Sequence, residues 1–236
     1  MSIFSPTKIG LLRLLKRFRE HSFHRQFINR GDLVFDIGAN IGRRSSIYLR
    51  LGARVVAVEP QTACVELLKK KFSSNPHFTI VQKAVADVPG EAEIFISNVS
   101  EISTLSEEYR EHCIEQKSFS YDTEEKVGVT TLEQLIHEFG IPGYIKIDVE
   151  TFEWKVLKTL SVPVKLISFE YYEPFKSVAF ECLDFLSGKF EYNFMRLEDM
   201  KFELKEWVGK DQLIDYLLSL KDLTPAGEIF ARSKLR

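Results

Sequence analysis

The chain has 236 residues, 44% of them hydrophobic and 28% charged, with a formal net charge of −2 at pH 7. That length suits one domain with a sizeable core, and a charge so near zero gives no general attraction to nucleic acid. No apolar run reaches the roughly 18 residues of a membrane span, and no signal-peptide pattern is present. Three cysteines (Cys64, Cys113 and Cys182) form no metal spacing and leave one over from any pairing, so a reduced, cytoplasmic compartment and no metal centre are expected.

Residues 1–30 form a basic block, with Lys8, Arg13, Lys16, Arg17, Arg19, Arg25 and Arg30 against the single acid Glu20. Ile9, Leu12, Leu15 and Phe18 recur at helical spacing, which predicts an amphipathic extension. Such a helix packs on its own domain or on a second copy of the chain; weak, salt-sensitive contact with an anionic membrane surface is the alternative. From Asp32 onward, strand and helix signals alternate. Strands are expected at 33–37, 54–59, 78–83, 143–149 and 164–171, with helices near 42–51, 61–73, 131–139, 152–160 and 175–187. The alternation implies an α/β fold whose parallel sheet is covered on both faces. A hairpin signal from Ala84 to Ser97, around Pro89-Gly90, interrupts it. Residues 98–126, rich in charge and Ser/Thr with Tyr109, Phe119 and Tyr121, read as a lid over a substrate pocket or as a solvated loop. Two strands, near 190–197 and 226–232, close the chain with a helix at 211–220 between them.

The densest signal is Leu33-Val-Phe-Asp-Ile-Gly-Ala-Asn-Ile-Gly42, a buried strand entering a glycine turn, followed by Val55-Val-Ala-Val-Glu59. Gly38 and Gly42 let the backbone turn sharply and let a ligand approach. Glu59, at the tip of the neighbouring strand, is suited to accept both hydroxyls of a ribose. The turn lacks the second glycine of G-x-G-x-x-G, with Asn40 at that position, and no phosphate-binding G-x-x-x-x-G-K-[ST] run occurs. Asp36 adds a carboxylate that would repel a pyrophosphate but suits an ammonium. Acids at both strand tips therefore match S-adenosylmethionine, with its ammonium, sulfonium and ribose diol. The competing explanation is that Asp36 and Glu59 only cap helices.

Phe35-Asp-Ile-Gly-Ala-Asn-Ile-Gly42, Val58-Glu-Pro60, Ala84-Val-Ala-Asp87 with Gly90, Thr130-Thr-Leu-Glu133 and Lys146-Ile-Asp-Val-Glu150 occur in the order and spacing of the FkbM family of methyltransferases, which the chain resembles over about residues 31–232. Gly227-Glu-Ile-Phe-Ala231 resembles that family's closing strand. The resemblance implies a class I methyltransferase (Rossmann-like) sheet with an antiparallel last strand, and S-adenosylmethionine bound at Asp36, Gly38, Ala39, Asn40, Gly42, Glu59, Pro60 and Ala84. It also implies O-methylation of sugars or secondary metabolites. One departure stands out: the family usually places glycine after the Lys-Ile-Asp-Val-Glu word, and this chain has Thr151.

Lys146, Asp148 and Glu150 alternate with Ile145, Ile147 and Val149, so the three charged side chains share one strand face. Methyl transfer to a hydroxyl needs positioning and a base. Asp148, at the carboxyl end beside the cofactor crevice, is the candidate; Glu150 and Glu170 accompany it, and Lys146 would hold Asp148 ionised. Such carboxylates can hold a proton, bind a divalent cation or orient a hydroxyl. A structural ion pair for Lys146 and Asp148 and a helix cap for Glu150 are the alternatives. Of the histidines only His112 is placed to act as a base, and an inert surface histidine is the favoured alternative for it. The functional expectation is O-methylation of a small molecule or glycan, by a monomer or homo-oligomer. Against it stand N-methylation of nucleic acid or protein, and a binding protein without turnover.

Overall fold

The computed structural model describes residues 18–116, 119–196, 199–220 and 226–234. A seven-stranded sheet carries the order β3-β2-β1-β7-β8-β10-β9, made of β1 (Leu33–Ile37), β2 (Arg54–Val58), β3 (Phe78–Val81), β7 (Tyr144–Ile147), β8 (Leu166–Tyr172), β9 (Phe190–Arg196) and β10 (Ala226–Ser233). The first five of these run parallel, and β10 lies antiparallel to both β8 and β9. All five residues of β1 are buried, as a central strand covered on both faces requires. Alternate side chains divide between two cores. Phe35, Ile37, Ile145, Ile147, Ile167 and Phe169 face one; Val34, Val55, Ala57, Tyr144 and Phe230 face the other. The α/β class, the parallel sheet and the antiparallel final strand are those expected from sequence.

The helices Arg43–Arg50, Thr62–Phe72, Leu132–Phe139, Lys176–Leu186 and Lys210–Ser219 fall within a residue or two of expectation, while the helix expected over 152–160 is shorter, Glu153–Leu157.

The expected hairpin does not form. Ala84–Val85 (β4) and Gly90–Ile96 (β5) do not pair with each other; both pair with β6 (Thr123–Thr130), which lies between them in a separate three-stranded sheet. The physical reason is that β6 supplies Val127 and Val129, which bury against Ala84, Ala86 and Ile94, whereas a Pro89-Gly90 turn alone buries nothing. The 98–126 segment accordingly holds regular structure: a 3₁₀ turn (Ser100–Ile102), the helix Glu107–Glu115 and the start of β6.

Of the basic extension, Ile9, Leu12 and Leu15 lie outside the described residues. Phe18 is exposed, but Phe23, His24 and Ile28 are buried on the sheet domain. Phe23 meets Phe27, Phe202 and Phe230 edge-on at 5.1–5.6 Å, and the Arg19 guanidinium donates to the Asp199 carbonyl at 3.0 Å. Cys64, Cys113 and Cys182 are free and buried. No helix among the described residues is long and apolar enough to cross a membrane.

Truncating a buried aromatic loses transfer free energy and leaves a cavity. Phe23→Ala should therefore destabilise the full chain by about 3 kcal/mol in urea unfolding, with an unchanged midpoint showing that residues 18–28 contribute no packing.

Candidate functional site

The site grows from the turn after β1. Gly38, at φ 74°, has no room for a Cβ, which would overlap the carbonyl oxygen of Asp148. The Asp148 amide in turn donates to the Ile37 carbonyl at 3.1 Å, so the end of β7 is clamped against the turn. Gly42, at φ 72°, caps the helix Arg43–Arg50 and packs close to Leu68 and Phe72 of the helix Thr62–Phe72. Between them Asn40 adopts φ 48°, a conformation asparagine tolerates better than most residues, and its side-chain oxygen accepts from the Ile41 amide at 2.7 Å.

Two contiguous cavities open on this turn. The larger, about 360 Å³, is walled by Ala39, Ile41, Arg43 and Arg44 on one side and by Lys146, Glu170, Gly227 and Glu228 on the other. The smaller, about 120 Å³, is lined by Glu59, Pro60 and Gln61, by the apolar Ala84, Val85, Ile94, Leu105 and Phe152, and by Glu150. Gly38, Asn40, Glu101 and Asp148 belong to both, so a single cleft has an acidic, apolar-walled end and a charged end. A carboxylate beside an apolar slot is the donor set that a nucleoside needs: polar groups for the ribose, apolar walls for the base.

Glu59 is buried, and its two oxygens accept backbone amides from Asn40 (2.8 Å) and Gln61 (2.9 Å). Burial pushes its pKa up, against those two hydrogen bonds. Each carboxylate oxygen has a second lone pair, so the amides fix the carboxylate without exhausting it. Ser100 of the 3₁₀ turn closes the same corner: its hydroxyl accepts from the Asn40 side-chain amide at 3.1 Å, and its carbonyl from the Gln61 side chain at 3.0 Å.

At the charged end, the Lys146 ammonium lies 2.8 Å from Asp148 and 3.9 Å from Asp36. Burial works against its charge, but the two carboxylates outweigh that and raise its pKa. The carboxylate oxygens of Asp148, Glu150 and Glu170 lie within 4.8 Å of one another. Burial, and then the Asp148 charge, push Glu150 well above the usual carboxylate range, and Tyr109 hydrogen-bonds Glu150 from the helix Glu107–Glu115. Glu153, buried beneath, accepts the Val149 amide at 3.0 Å, and burial pushes it up to about 7.

Sequence expectations fare unevenly here. Gly38, Ala39, Asn40, Glu59, Pro60 and Ala84 line the cleft, as do Lys146, Asp148, Glu150 and Glu170. Asp36 and Gly42 do not. Asp36 is fully buried under the helix Arg43–Arg50, where the Ser45 hydroxyl donates to it at 2.6 Å; it shares the sheet face of its register partner Lys146 but lies below the cleft lining. Gly42 serves helix packing. His112 lies 3.2 Å from the Tyr172 hydroxyl and edge-on to Phe175, outside both cavities. Three features of the site have no signal in residue spacing: Arg44 paired with Glu228 (3.3 Å), Tyr109 on Glu150, and the buried Glu153. Glu228 sits in the quoted closing-strand word, one residue after a glycine, and that was its available signal.

Glu150 and Thr151 both hold left-handed backbone, φ 55° and 71°. The position where the family carries glycine is thus one where glycine is the unstrained residue, and the Thr151 hydroxyl is buried without a hydrogen-bond partner among the described residues.

Residues 36–217 match the family described as Methyltransferase FkbM domain. Over 56 residues the chain is 30% identical to the chloroplastic ribosomal RNA small subunit methyltransferase of Arabidopsis thaliana, a match spanning 24% of this chain and 16% of that protein. Among solved structures, the precorrin-6Y C5,15-methyltransferase of Geobacter metallireducens aligns with 12% identity over 91% of this chain and 86% of its own (TM-score 0.49). An O-methyltransferase of Bacillus cereus aligns with 14% identity over 98% and 82% (TM-score 0.44), and an rRNA methylase of Streptococcus thermophilus with 12% over 99% of each (TM-score 0.46).

Thr151→Gly should stabilise the protein by about 1 kcal/mol, the cost of left-handed backbone at a residue with a Cβ, and denaturant unfolding that shows no gain would remove the strain. Glu153 has a folded pKa of about 7 against 4.5 in the open chain, so its contribution is complete below pH 4.5 and is lost as pH rises through 7. Wild-type stability should therefore fall between pH 5 and pH 8, by up to about 3 kcal/mol from this group. Glu153→Gln should flatten that slope, and an equally steep slope in the variant would assign it to other groups.

Proposed function

Because the chain belongs to the FkbM methyltransferase family, we propose that it transfers the methyl group of S-adenosylmethionine to a hydroxyl of a small molecule or glycan. S-adenosylmethionine is the cofactor. The observation that carries the acceptor half of the proposal is Asp148: its carboxylate, 41% exposed and paired with the buried Lys146, stands where the two cavities join.

The acidic, apolar-walled end fits the nucleoside. Glu59, fixed by the Asn40 and Gln61 amides, offers its remaining lone pairs to the ribose hydroxyls, and Val85, Ile94, Leu105 and Phe152 enclose the base. When bound, S-adenosylmethionine supplies an electrophilic methyl group on a positively charged sulfur. The acceptor enters the larger cavity, whose volume suits a small ligand. Asp148 would take the proton of the acceptor hydroxyl as that oxygen accepts the methyl group the cofactor would supply. Lys146 then holds Asp148 in place from behind, with Asp36 as its second counter-ion. Positioning supplies most of the rate and the base the remainder. In this proposal residues 18–30 of the N-terminal extension pack on the methyltransferase domain through Phe23 and Ile28, and residues 98–116 roof the cleft through Ser100, Leu105 and Tyr109.

Glu59→Ala should weaken S-adenosylhomocysteine binding by roughly 1.5–3 kcal/mol, the worth of hydrogen bonds to a charged acceptor; calorimetry with unchanged affinity would remove Glu59 from the site. Asp148→Asn should leave that affinity largely intact and lower methyl transfer by about 100-fold or more. Turnover within a few-fold of wild type would assign the proton to another group.

A further inference from the structure

The three carboxylates at the charged end have unlike surroundings. Asp148 receives the Lys146 ammonium, and Glu150 is hydrogen-bonded by Tyr109. Among the described residues, no cation pairs directly with the carboxylate of Glu170 and no hydrogen-bond donor reaches it; the Lys146 charge acts on it only from a distance, and Glu170 lines the larger cavity. What surrounds it is acidic. Glu150 and Asp148 face it from the end of β7, Glu153 from the helix Glu153–Leu157, and Glu228 is its register partner on β10. Glu228 already holds the Arg44 guanidinium at 3.3 Å, and Lys146 is committed to Asp148 and Asp36. On the lid side stand Tyr109, Tyr172 and Cys113, none of them a cation, and His112 turns to the Tyr172 hydroxyl. Like charges crowded into one site cannot all ionise, and the proton settles on the member with least support. Burial, then the charges of Glu150 and Asp148, push Glu170 well above the carboxylate range.

We propose that Glu170 works as a neutral carboxylic acid, donating a hydrogen bond to a second oxygen of the acceptor beside the oxygen that Asp148 deprotonates. The inference rests on the O-methylation proposed above and names its acceptor class. Oxygens of Asp148 and Glu170 lie within 4.8 Å of each other. With a hydrogen bond of about 2.7 Å to each, an acceptor that gives each carboxyl its own oxygen must carry the two oxygens close together. The smallest such acceptor is a 1,2-diol, or a hydroxyl next to a carbonyl, and that is the class proposed. An ionised Glu170 could only accept, and it would repel the alkoxide forming beside it. A protonated Glu170 donates toward that developing charge, where a fixed donor counts most.

The test uses the full chain with S-adenosylhomocysteine bound. In protein carrying ¹³C-labelled glutamate, the resonance lost in Glu170→Gln identifies the Glu170 carboxyl. It should titrate well above the ordinary carboxylate range and be protonated under the conditions of the transfer assay; titration near the ordinary value of about 4.3 overturns the proposal. A second arm measures methyl transfer to 1,2-diols and to matched analogues lacking the neighbouring hydroxyl. The preference for the diol should drop about tenfold in Glu170→Ala, the loss of one hydrogen bond, and be rescued in Glu170→Gln, whose amide still donates. Activity should also fall at alkaline pH in wild type but not in Glu170→Gln. An undiminished diol preference in Glu170→Ala overturns the proposal. So does a complete lack of transfer to any 1,2-diol by protein that binds S-adenosylhomocysteine. Absence of S-adenosylhomocysteine binding would instead strike the methyltransferase proposal itself, and the labelled titration would still locate the proton on Glu170.

Discussion

Two strand ends meet at Gly38, and the spacing between them sets everything else in the cleft. The Asp148 carbonyl fills the volume that any side chain at residue 38 would need, while the Asp148 amide ties β7 to the last carbonyl of β1. Because the chain can pass so close, the turn that carries Asn40 and the strand end that carries Asp148 share one wall. Glu59, just past the end of β2, then faces the same opening through its hydrogen bond from the Asn40 amide. The site is a consequence of backbone proximity at the switch point of a parallel sheet, with side chains added to it.

Charge is distributed so that one buried ammonium serves several acids. Lys146 stands between Asp36, sealed in the sheet face, and Asp148, open to the cleft. Removing an ion-paired partner from such a place leaves an uncompensated buried charge, so this lysine holds the site's geometry as well as its electrostatics. The acids with which it forms no ion pair, Glu150, Glu153 and Glu170, are all pushed toward their neutral forms by burial, which outweighs the distant Lys146 charge. Carboxyl groups of opposite protonation state side by side are a common basis for dividing acid and base roles. Strained backbone at Glu150 and Thr151 accompanies them, in the segment that turns from β7 into the next helix.

Much of this was legible in the residues. Mostly apolar runs such as Leu33–Ile37 and Tyr144–Ile147, each broken by one charged residue that is itself buried, announce central strands covered on both faces. The glycine turn and Glu59 are readable because few residues satisfy a left-handed turn or accept a diol. β6 was hidden, since Thr123-Glu-Glu-Lys-Val-Gly-Val-Thr130 begins polar and its partners are fixed by the tertiary burial of Val127 and Val129, not by a local turn. Asp36 was misplaced for a different reason. It shares a strand face with the cleft-lining Lys146, but the helix Arg43–Arg50 covers it through Ser45, and a strand pattern does not show how deep a helix buries a residue. Arg44, Tyr109 and Glu153 reach the site from helices, and sequence spacing does not say which helix face meets which strand end.

The most direct measurement is a crystal structure of the protein grown with S-adenosylhomocysteine. The ribose hydroxyls should lie within hydrogen-bond distance of Glu59, the base among Val85, Ile94, Leu105 and Phe152, and the sulfur toward Asp148. Ligand bound outside this cleft, or seated in it with the sulfur turned away from Asp148, would contradict both the cofactor site and the role of the carboxylates.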